Sequence, residues 1–300
     1  MFHFLNVNKP LGITSHDVVA RVRRMLRDRG LKHVKVGHAG TLDPLATGVL
    51  IICLGGATRL SEYVMGHDKT YTARIRLGIE TDTYDAEGTV ISTADAAVVT
   101  SEAISTALAG FTGDIEQIPP MYSAIKQGGR KLYDLARAGQ EVERQPRPVT
   151  IHTLTCDRFD ASAPSAPEIT CTIVCSAGTY IRSIAHDLGA VLGVGAHLTA
   201  LERTASGVFQ VRNAVTLELL ASVDDWSELT VSPLDGLSDL TRLELTPEQW
   251  QDISHGRAIA AAEPAPQSVC ATLSGQLVAI LSAESGQWHP HKVFLPADSE

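Results

Sequence analysis

The chain has 300 residues, of which 44% are hydrophobic, which is enough for one large domain and a smaller one around a substantial core. A charged fraction of 20% excludes the composition of a disordered chain. The apolar uncharged stretch 44–58 is too short and too rich in glycine for a transmembrane helix, and the first residues lack the pattern of a secretory leader. We therefore expect a cytoplasmic protein with no membrane contact.

The net charge of −9 is distributed unevenly along the chain. From Asp224 onward there are 12 acidic and 3 basic residues, whereas the preceding part of the chain is balanced. Two basic stretches lie in this balanced part, at 21–35 and 126–147. They allow a surface that binds phosphate groups, although a solvated helix face is the favoured explanation for either stretch taken alone.

The first half of the chain contains an amphipathic helix predicted over 14–30, with Thr14 or Ser15 as its N-cap. An irregular loop is predicted over 36–44, because glycines flank an Asp-Pro step there. A fully buried strand follows at 49–54. A second strand, at 70–77, alternates apolar and polar residues and places Tyr71 on its inward side.

The second half mixes helices and strands without a regular βαβ rhythm, which favours the α+β class. The following elements are predicted: helices at 101–110 and 180–192, strands at 150–159 and 168–175, and a protruding basic insertion at 126–148 with a helical stretch at 131–138. Beyond a change of composition between 221 and 242, short strands at 269–273, 277–282 and 292–295 suit a small β-barrel.

The cysteines and histidines give no sign of a metal or disulfide framework. The five cysteines are odd in number and form no Cys-x-x-Cys pair. Cys171 and Cys175 share parity in a predicted strand, so we expect both to be buried as small apolar side chains. His289 and His291 have no nearby acid or thiol to complete a ligand set. No metal is assigned.

One segment carries the candidate chemistry, since the common motifs of hydrolases, ATPases and dehydrogenases are absent. It is GHAGTLDPLATGVL at 37–50, in which Asp43 follows a glycine-rich turn and precedes a buried strand. A carboxylate at this position is partly desolvated while the backbone can approach a ligand, which suits a nucleophile. A turn-initiating Asp-Pro step is the structural alternative and, on these residues alone, the favoured one, because such turns are far commoner than aspartate nucleophiles.

This segment resembles the aspartate motif of the TruB family, the bacterial tRNA pseudouridine synthases B. Further segments match in the order of that family: 8–15, 69–78, 117–124, 178–182 and 195–204. The resemblance covers 5–212. The C-terminal part of the chain shows a weaker resemblance to the small RNA-binding PUA domain of the family. It implies an α+β pseudouridine synthase fold with a central mixed, mainly antiparallel sheet in 1–235, an insertion at 126–148 that grips RNA, and a PUA-like β-barrel in 236–300.

The resemblance also implies an activity, the isomerisation of uridine to pseudouridine at position 55 in the T-loop of tRNA. Asp43 is then the nucleophile, and the target base is flipped out of its stack. No bond is oxidised or hydrolysed overall, so we expect no cofactor and no metal. Arg182 is the matching cation that keeps the Asp43 carboxylate ionised, and Tyr71 matches a tyrosine that stacks on the target base and is a candidate for the proton shift.

Five further positions are carried over as substrate-binding or RNA-binding residues. They are Tyr180 in the pocket, His38 where the uridine leaves its stack, Leu201 on the uracil site through its backbone, and Lys9 and Arg203 in matched runs. Structural alternatives remain open: anchored core aromatics for Tyr71 and Tyr180, a loop histidine, a core leucine, packing beneath the loop for Lys9, and an internal ion pair for Arg203.

Three other functions remain to be weighed. A related pseudouridine synthase acting on another RNA would share the same motifs. An RNA-binding or tRNA-folding module would bind without needing Asp43. A glycosidase needs two carboxylates, and no second acid has a matched place beside Asp43. The expected partner is the T-arm of tRNA, with no protein partner and a monomeric chain.

Overall fold

The computed structural model describes residues 1–123, 125–132, 135, 140, 142–262 and 264–295. Its helices are α1 (Ser15–Asp28), α2 (Ser61–Gly66), α3 (Ser101–Ala109), α4 (Ile181–Leu192), α5 (Leu217–Ser222), α6 (Pro233–Gly236) and α7 (Pro247–Ser254). The strands of the first half are β1 (Phe2–Lys9), β2 (Val36–Ala39), β3 (Ala46–Gly55), β4 (Lys69–Leu77), β5 (Ile79–Thr81), β6 (Val90–Thr93), β7 (Gly113–Gln117), β8 (Lys126–Gln127) and β9 (Arg130–Lys131). Those of the second half are β10 (Arg147–Asp160), β11 (Glu168–Cys175), β12 (Ala196–Ser206), β13 (Phe209–Gln210), β14 (Thr230–Val231), β15 (Thr241–Glu244), β16 (Ile259–Ala260), β17 (Ser268–Leu273), β18 (Gln276–Glu284) and β19 (Gln287–Val293).

Among the described residues, a ten-stranded sheet forms the centre of the protein. Its main path runs β14-β1-β3-β12-β4-β11-β10-β7, with β13 beside β12 and β2 beside β3. Only the β3–β12 pair in this sheet is parallel, and the other pairs of described strands are antiparallel. The predicted α+β class with a mixed, mainly antiparallel sheet is therefore confirmed.

The predicted first helix is present as α1 and begins with a capping box. The Thr14 side chain accepts from the backbone N–H of Asp17, and the Asp17 carboxylate accepts from the backbone N–H of Thr14. Val18, Val22 and Leu26 recur at helical spacing and are buried against the sheet. The capping box fixes the start of the helix at the end of the first matched segment, 8–15.

The predicted loop at 36–44 is shorter than expected, because its first four residues form β2. Strand β12 pairs with β3 only over Ala46–Gly48, which leaves the later part of that edge of β3 without a neighbour. Strand β2 fills the gap, with Val36 opposite Leu54 and Ala39 opposite Ile51. The loop that carries Asp43 is thereby confined to 40–45.

The strand predicted at 70–77 is confirmed as β4, and Tyr71 lies on its buried side. Cys171 and Cys175 on the neighbouring β11 are buried as predicted. In the insertion at 126–148, strands β8 and β9 pair as a short hairpin. Most of the helical stretch predicted at 131–138 lies outside the described residues.

The C-terminal strands form a second, curled sheet in the order β15-β17-β18-β19-β16. This sheet packs on the central one: the rings of Phe2 and Phe294 lie 4.8 Å apart, and an Arg59 guanidinium nitrogen donates to the Val293 carbonyl at 2.8 Å. No helix in the described part of the chain is long and apolar enough to cross a bilayer.

Candidate active site

The loop that carries Asp43 is fixed by hydrogen bonds on both sides of that residue. The backbone N–H of Leu42 donates to the Ser15 hydroxyl at 2.8 Å, and this hydroxyl donates to the Leu42 carbonyl at 2.9 Å. On the other side, the Pro44 carbonyl accepts from the backbone N–H of Gly12 at 2.9 Å. The backbone of Asp43 is therefore held in place before any substrate arrives.

Lys9, at the end of β1, lies beneath this loop and is completely buried. Its ammonium group donates to three backbone carbonyls, those of Pro10 at 2.9 Å, Ile13 at 2.7 Å and Pro44 at 3.3 Å. Burial lowers the pKa of Lys9 to about 8, while the nearby Asp43 carboxylate opposes that shift. The ammonium group of Lys9 is thus bound inside the protein and holds Pro44, the residue that follows Asp43.

Arg203, on β12, joins the start of the same loop to the strand β3 that follows it. Its side chain is fully buried; Nε donates to the Val49 carbonyl at 2.7 Å and Nη2 donates to the Gly40 carbonyl at 2.8 Å. These bonds differ from both possibilities left open by the sequence, a contact with RNA and an internal ion pair. A buried guanidinium that spans two carbonyls positions the loop between them.

Gly48 allows β3 to approach β12 at the end of this loop. Its φ is +95°, and a Cβ at this position would lie 2.3 Å from the Arg203 carbonyl oxygen. We expect Gly48→Ala to lower the free energy of unfolding by about 3 kcal/mol, through backbone strain and displacement of β12. Urea unfolding measures this loss. Gly66→Ala is the matched control, because nothing lies within 4 Å of its Cβ position, and equal losses in both variants would contradict the prediction.

Arg182, in the first turn of α4, is the centre of the site. Its guanidinium lies 2.9 Å from the Asp43 carboxylate and 3.4 Å from that of Asp85. It also donates to the Thr83 carbonyl at 3.2 Å and to the Tyr122 carbonyl at 2.8 Å. The planar fork therefore has a fixed orientation, which a point charge could not achieve with the same partners.

Asp85 is a site residue that the sequence reasoning missed. It is buried, and its carboxylate accepts from the Thr83 hydroxyl at 2.6 Å and from the backbone N–H of Glu87 at 3.1 Å. Its segment is held against β12, because the Leu198 backbone exchanges two hydrogen bonds with residues 84 and 86. The run of acidic and hydroxyl residues at 81–85 is the signal that could have indicated a hydrogen-bonded loop.

Burial and neighbouring charges shift the pKa of Asp43 in opposite directions. Burial of its surroundings raises the pKa of this carboxyl, the Arg182 guanidinium lowers it, and the Asp85 carboxylate raises it. The Asp43 side chain remains 42% exposed, whereas that of Arg182 is only 6% exposed. The carboxylate is thus accessible from outside, while the cation that orients it is enclosed.

Tyr71 and Tyr180 approach the site from different elements. Tyr71 is buried on β4, and this burial raises the pKa of its phenol. Tyr180 is half-buried and precedes α4, with its pKa also raised by burial. Gln117, a residue not singled out from the sequence, accepts from the Tyr180 backbone N–H at 2.7 Å and donates to its carbonyl at 3.0 Å. Gln117 therefore sets the start of the helix that carries Arg182.

His38 and Leu201 flank the ends of the Asp43 loop. His38 is partly buried on β2, and burial lowers the pKa of its imidazole. Leu201 on β12 lies opposite Ala46 of β3, and its carbonyl accepts from the Thr47 hydroxyl at 3.4 Å. The structure thus brings Lys9, His38, Leu201 and Arg203 to the Asp43 loop or to the elements that hold it. The Asp43 charge also acts on the pKa of Tyr71 and of Tyr180. Among the described residues, no group of three or more His, Cys, Asp or Glu side chains is arranged to hold a metal ion.

Solved structures define the class of protein first. The chain is similar to one titled "Structure of H/ACA RNP bound to a substrate RNA containing 2'-deoxyuridine", with a TM-score of 0.73, 25% identity and coverage of 99% of this chain and 86% of that one. It is also similar to "Crystal Structure of a Cbf5-Nop10-Gar1 Complex", with a TM-score of 0.74, 26% identity and the same coverage. The fold is that of the pseudouridine synthases.

Sequence comparisons then define the family. The model described as TruB family pseudouridylate synthase (N terminal domain) matches 23–181, and that of the tRNA pseudouridylate synthase B C-terminal domain matches 182–237. Relatives named tRNA pseudouridine synthase B include one from Arthrobacter sp. (strain FB24), 44% identical over 98% of this chain and 97% of the relative. Another, from Symbiobacterium thermophilum, is 49% identical over 85% and 82%, respectively. This chain belongs to the TruB family of pseudouridine synthases.

Proposed function

We propose that this protein isomerises uridine to pseudouridine at position 55 in the T-loop of tRNA, with Asp43 as nucleophile and without a cofactor. The observation that carries this proposal is the direct contact between an accessible Asp43 carboxylate and the enclosed Arg182 guanidinium, at 2.9 Å. The relatives named tRNA pseudouridine synthase B support tRNA as the substrate. The proposal includes a monomeric protein that works in the cytoplasm.

The proposed reaction rearranges bonds without changing the composition of the nucleotide. The bond between N1 of uracil and C1′ of ribose breaks, the base turns, and a bond from C5 to C1′ forms. The C5 proton leaves and N1 gains a proton, so no oxidant or reductant is needed. Asp43 forms a covalent bond to the sugar or to the uracil ring, and this bond breaks before product release. Arg182 favours the ionised form of the Asp43 carboxylate, which is the form that starts the reaction.

Other site residues act on the flipped base in this proposal. Tyr71 offers a neutral aromatic face on which uracil stacks, and its hydroxyl assists the loss of the C5 proton in this proposal. His38, Tyr180 and Leu201 line the entry around the Asp43 loop. Lys9 and Arg203 support catalysis through the loop backbone, because both side chains are buried on its carbonyls.

The surfaces proposed to hold the T-arm lie on several elements. Exposed Arg21, Arg24 and Arg27 on α1 and the insertion at 126–148 contact phosphates in this proposal. Two other arginines of the basic stretch serve the fold: Arg23 donates to the Val36 carbonyl at 3.1 Å, and Arg29 donates to carbonyls of the 220–224 segment and lies over Trp226. They are therefore poor choices for testing RNA binding.

The domain organisation is part of the proposal. Residues 1–235 form the catalytic domain around the ten-stranded sheet, and 236–300 form a PUA-like domain around the second sheet. The second sheet lies within the acidic part of the chain, so any RNA contact there depends on a few basic side chains, among which is the exposed Arg257.

The substrate position is tested by incubating the purified protein with unmodified tRNA transcripts and mapping pseudouridine by chemical labelling and primer extension. We expect a single product at position 55, and none in a matched transcript that carries cytidine there. Product at another uridine would identify a related synthase. Tight binding of the transcript without product would favour the RNA-folding module and overturn the proposal.

The pH dependence of the single-turnover rate tests the role assigned to Asp43. The reaction requires the ionised carboxylate, and burial raises the pKa of Asp43, so the rate should fall as pH decreases through that raised pKa. The midpoint should lie above ~3.9, the usual value for aspartate. In Arg182→Gln the midpoint should move to still higher pH, because the opposing cation is lost. An unchanged midpoint in that variant would contradict the assignment.

A further inference from the structure

His186 lies on α4, one turn after Arg182, and is held between two carboxylates. Its Nε2 lies 3.0 Å from the Glu80 carboxylate and its Nδ1 lies 3.0 Å from that of Asp187. An ionised carboxylate can accept hydrogen bonds but cannot donate them. The imidazole therefore satisfies both partners only when both of its nitrogens carry protons. This arrangement selects the charged form of His186.

The charge on His186 also follows from the balance of its surroundings. The hydrogen bond to Asp187 raises the pKa of His186, the charges of Asp187 and Glu80 raise it further, and partial burial opposes them. Among the described residues, the charged groups within ion-pair distance of His186 are Asp187 on its own helix and Glu80 on β5. The charged form persists to higher pH than that of an isolated histidine.

Tyr84 connects His186 to the catalytic site. The two rings stack with centroids 3.9 Å apart and planes inclined by 31°. Tyr84 has a φ of +65°, in the left-handed region that disfavours a side chain of this size. The backbone at Tyr84 is therefore strained, and the contact of its ring with the imidazolium face opposes relaxation of that strain.

The position of Tyr84 matters because its neighbours in the chain hold Arg182. The Thr83 carbonyl accepts from Arg182 at 3.2 Å, and the Asp85 carboxylate lies 3.4 Å from the same guanidinium nitrogen. Displacement of Tyr84 would move both of these groups. The guanidinium would then lose the orientation with which it meets Asp43.

We propose that charged His186 is a positioning residue for the reaction: it clamps Tyr84 and Glu80 and thereby keeps the 83–85 segment against Arg182. This inference rests on the proposed function of the Asp43 site. His186 has no place on the RNA in this scheme, so its loss should reduce kcat and leave KM for tRNA nearly unchanged. The clamp weakens as pH rises through the pKa of His186, so kcat should fall on the alkaline side.

The test compares His186→Gln, His186→Arg and wild type with unmodified tRNA between pH 6 and 9. We expect His186→Gln to lower kcat about tenfold, with KM within twofold, since small displacements of catalytic groups have effects of this order. His186→Arg keeps a cation that stacks on Tyr84 and pairs with Glu80, so it should recover most of kcat and lack the alkaline fall. His152→Gln, at an exposed histidine paired with Asp68 at 3.1 Å, is the matched control and should behave as wild type.

The proposal is overturned if His186→Gln keeps kcat within twofold of wild type, or if His186→Arg is as impaired as His186→Gln. A change confined to KM would also overturn it. An NMR titration of the imidazole tests the clamp without activity: Glu80→Gln should lower the measured pKa of His186, and an unchanged value would count against the clamp. If wild-type protein forms no pseudouridine, the proposed function fails, whereas this titration still tests the clamp.

Discussion

Asp43→Asn is expected to abolish pseudouridine formation, with a loss of ~10⁴-fold or more in the single-turnover rate, because an amide cannot form the covalent intermediate. The side chain is 42% exposed and Leu42 and Pro44 are held by their own hydrogen bonds, so the loop should keep its shape. Pseudouridine mapped in tRNA at enzyme excess measures the loss. The affinity for tRNA, measured by filter binding, should stay within a few-fold of wild type.

The matched control for this substitution is Asp160→Asn. Asp160 is at the end of β10, and its carboxylate accepts from Arg158 at 2.9 Å and from the Ser162 backbone N–H at 3.0 Å, all within its own hairpin. Its removal should leave the rate unchanged. Residual activity of Asp43→Asn above a thousandth of wild type would identify Asp43 as a binding group and remove it from the role of nucleophile. Loss of tRNA binding in this variant would assign it to recognition.

Much of the scaffold around Asp43 could be predicted from local patterns. The spacing of Val18, Val22 and Leu26 predicts α1, and the alternation along 70–77 predicts both β4 and the burial of Tyr71. Each of these elements buries one face, and the spacing of its apolar residues shows that face in the sequence alone. Strand β2 was missed because its existence depends on where β12 ends its pairing with β3, which is a property of the assembled sheet.

The candidate site was predictable in its motifs and not in its contacts. Asp43 and Arg182 lie in matched segments, and their contact at 2.9 Å agrees with the pairing expected from the resemblance. Asp85 was missed because its role depends on a loop folded against Leu198, more than a hundred residues later in the chain. The role of Arg203 could not be assigned from the sequence. Its guanidinium binds two backbone carbonyls, and every residue type has such a carbonyl, so the amino-acid sequence does not indicate which ones accept.

Arg182→Lys is the substitution with the second largest expected effect. Lysine keeps the charge but has a single nitrogen, which cannot reach both carboxylates and the Thr83 and Tyr122 carbonyls. We expect the single-turnover rate to fall ~10²–10³-fold, as for other losses of a preorganised donor. The free energy of unfolding should fall by about 3 kcal/mol, because Asp85 is left buried without its full partner. Arg158→Lys, in a surface pair with Asp160, should cost less than about 1 kcal/mol and leave the rate unchanged.

A double variant separates the two effects of Arg182. Adding Asp85→Asn to Arg182→Lys removes the buried carboxylate, so part of the lost unfolding free energy should return. The rate should not return, because neither substitution restores the fork that orients Asp43. Urea unfolding and single-turnover assays on the two single variants and the double variant measure both quantities. If rate and stability recovered together, Arg182 would act on the reaction through the stability of the 83–85 segment, and orientation of Asp43 by its fork would be the wrong explanation.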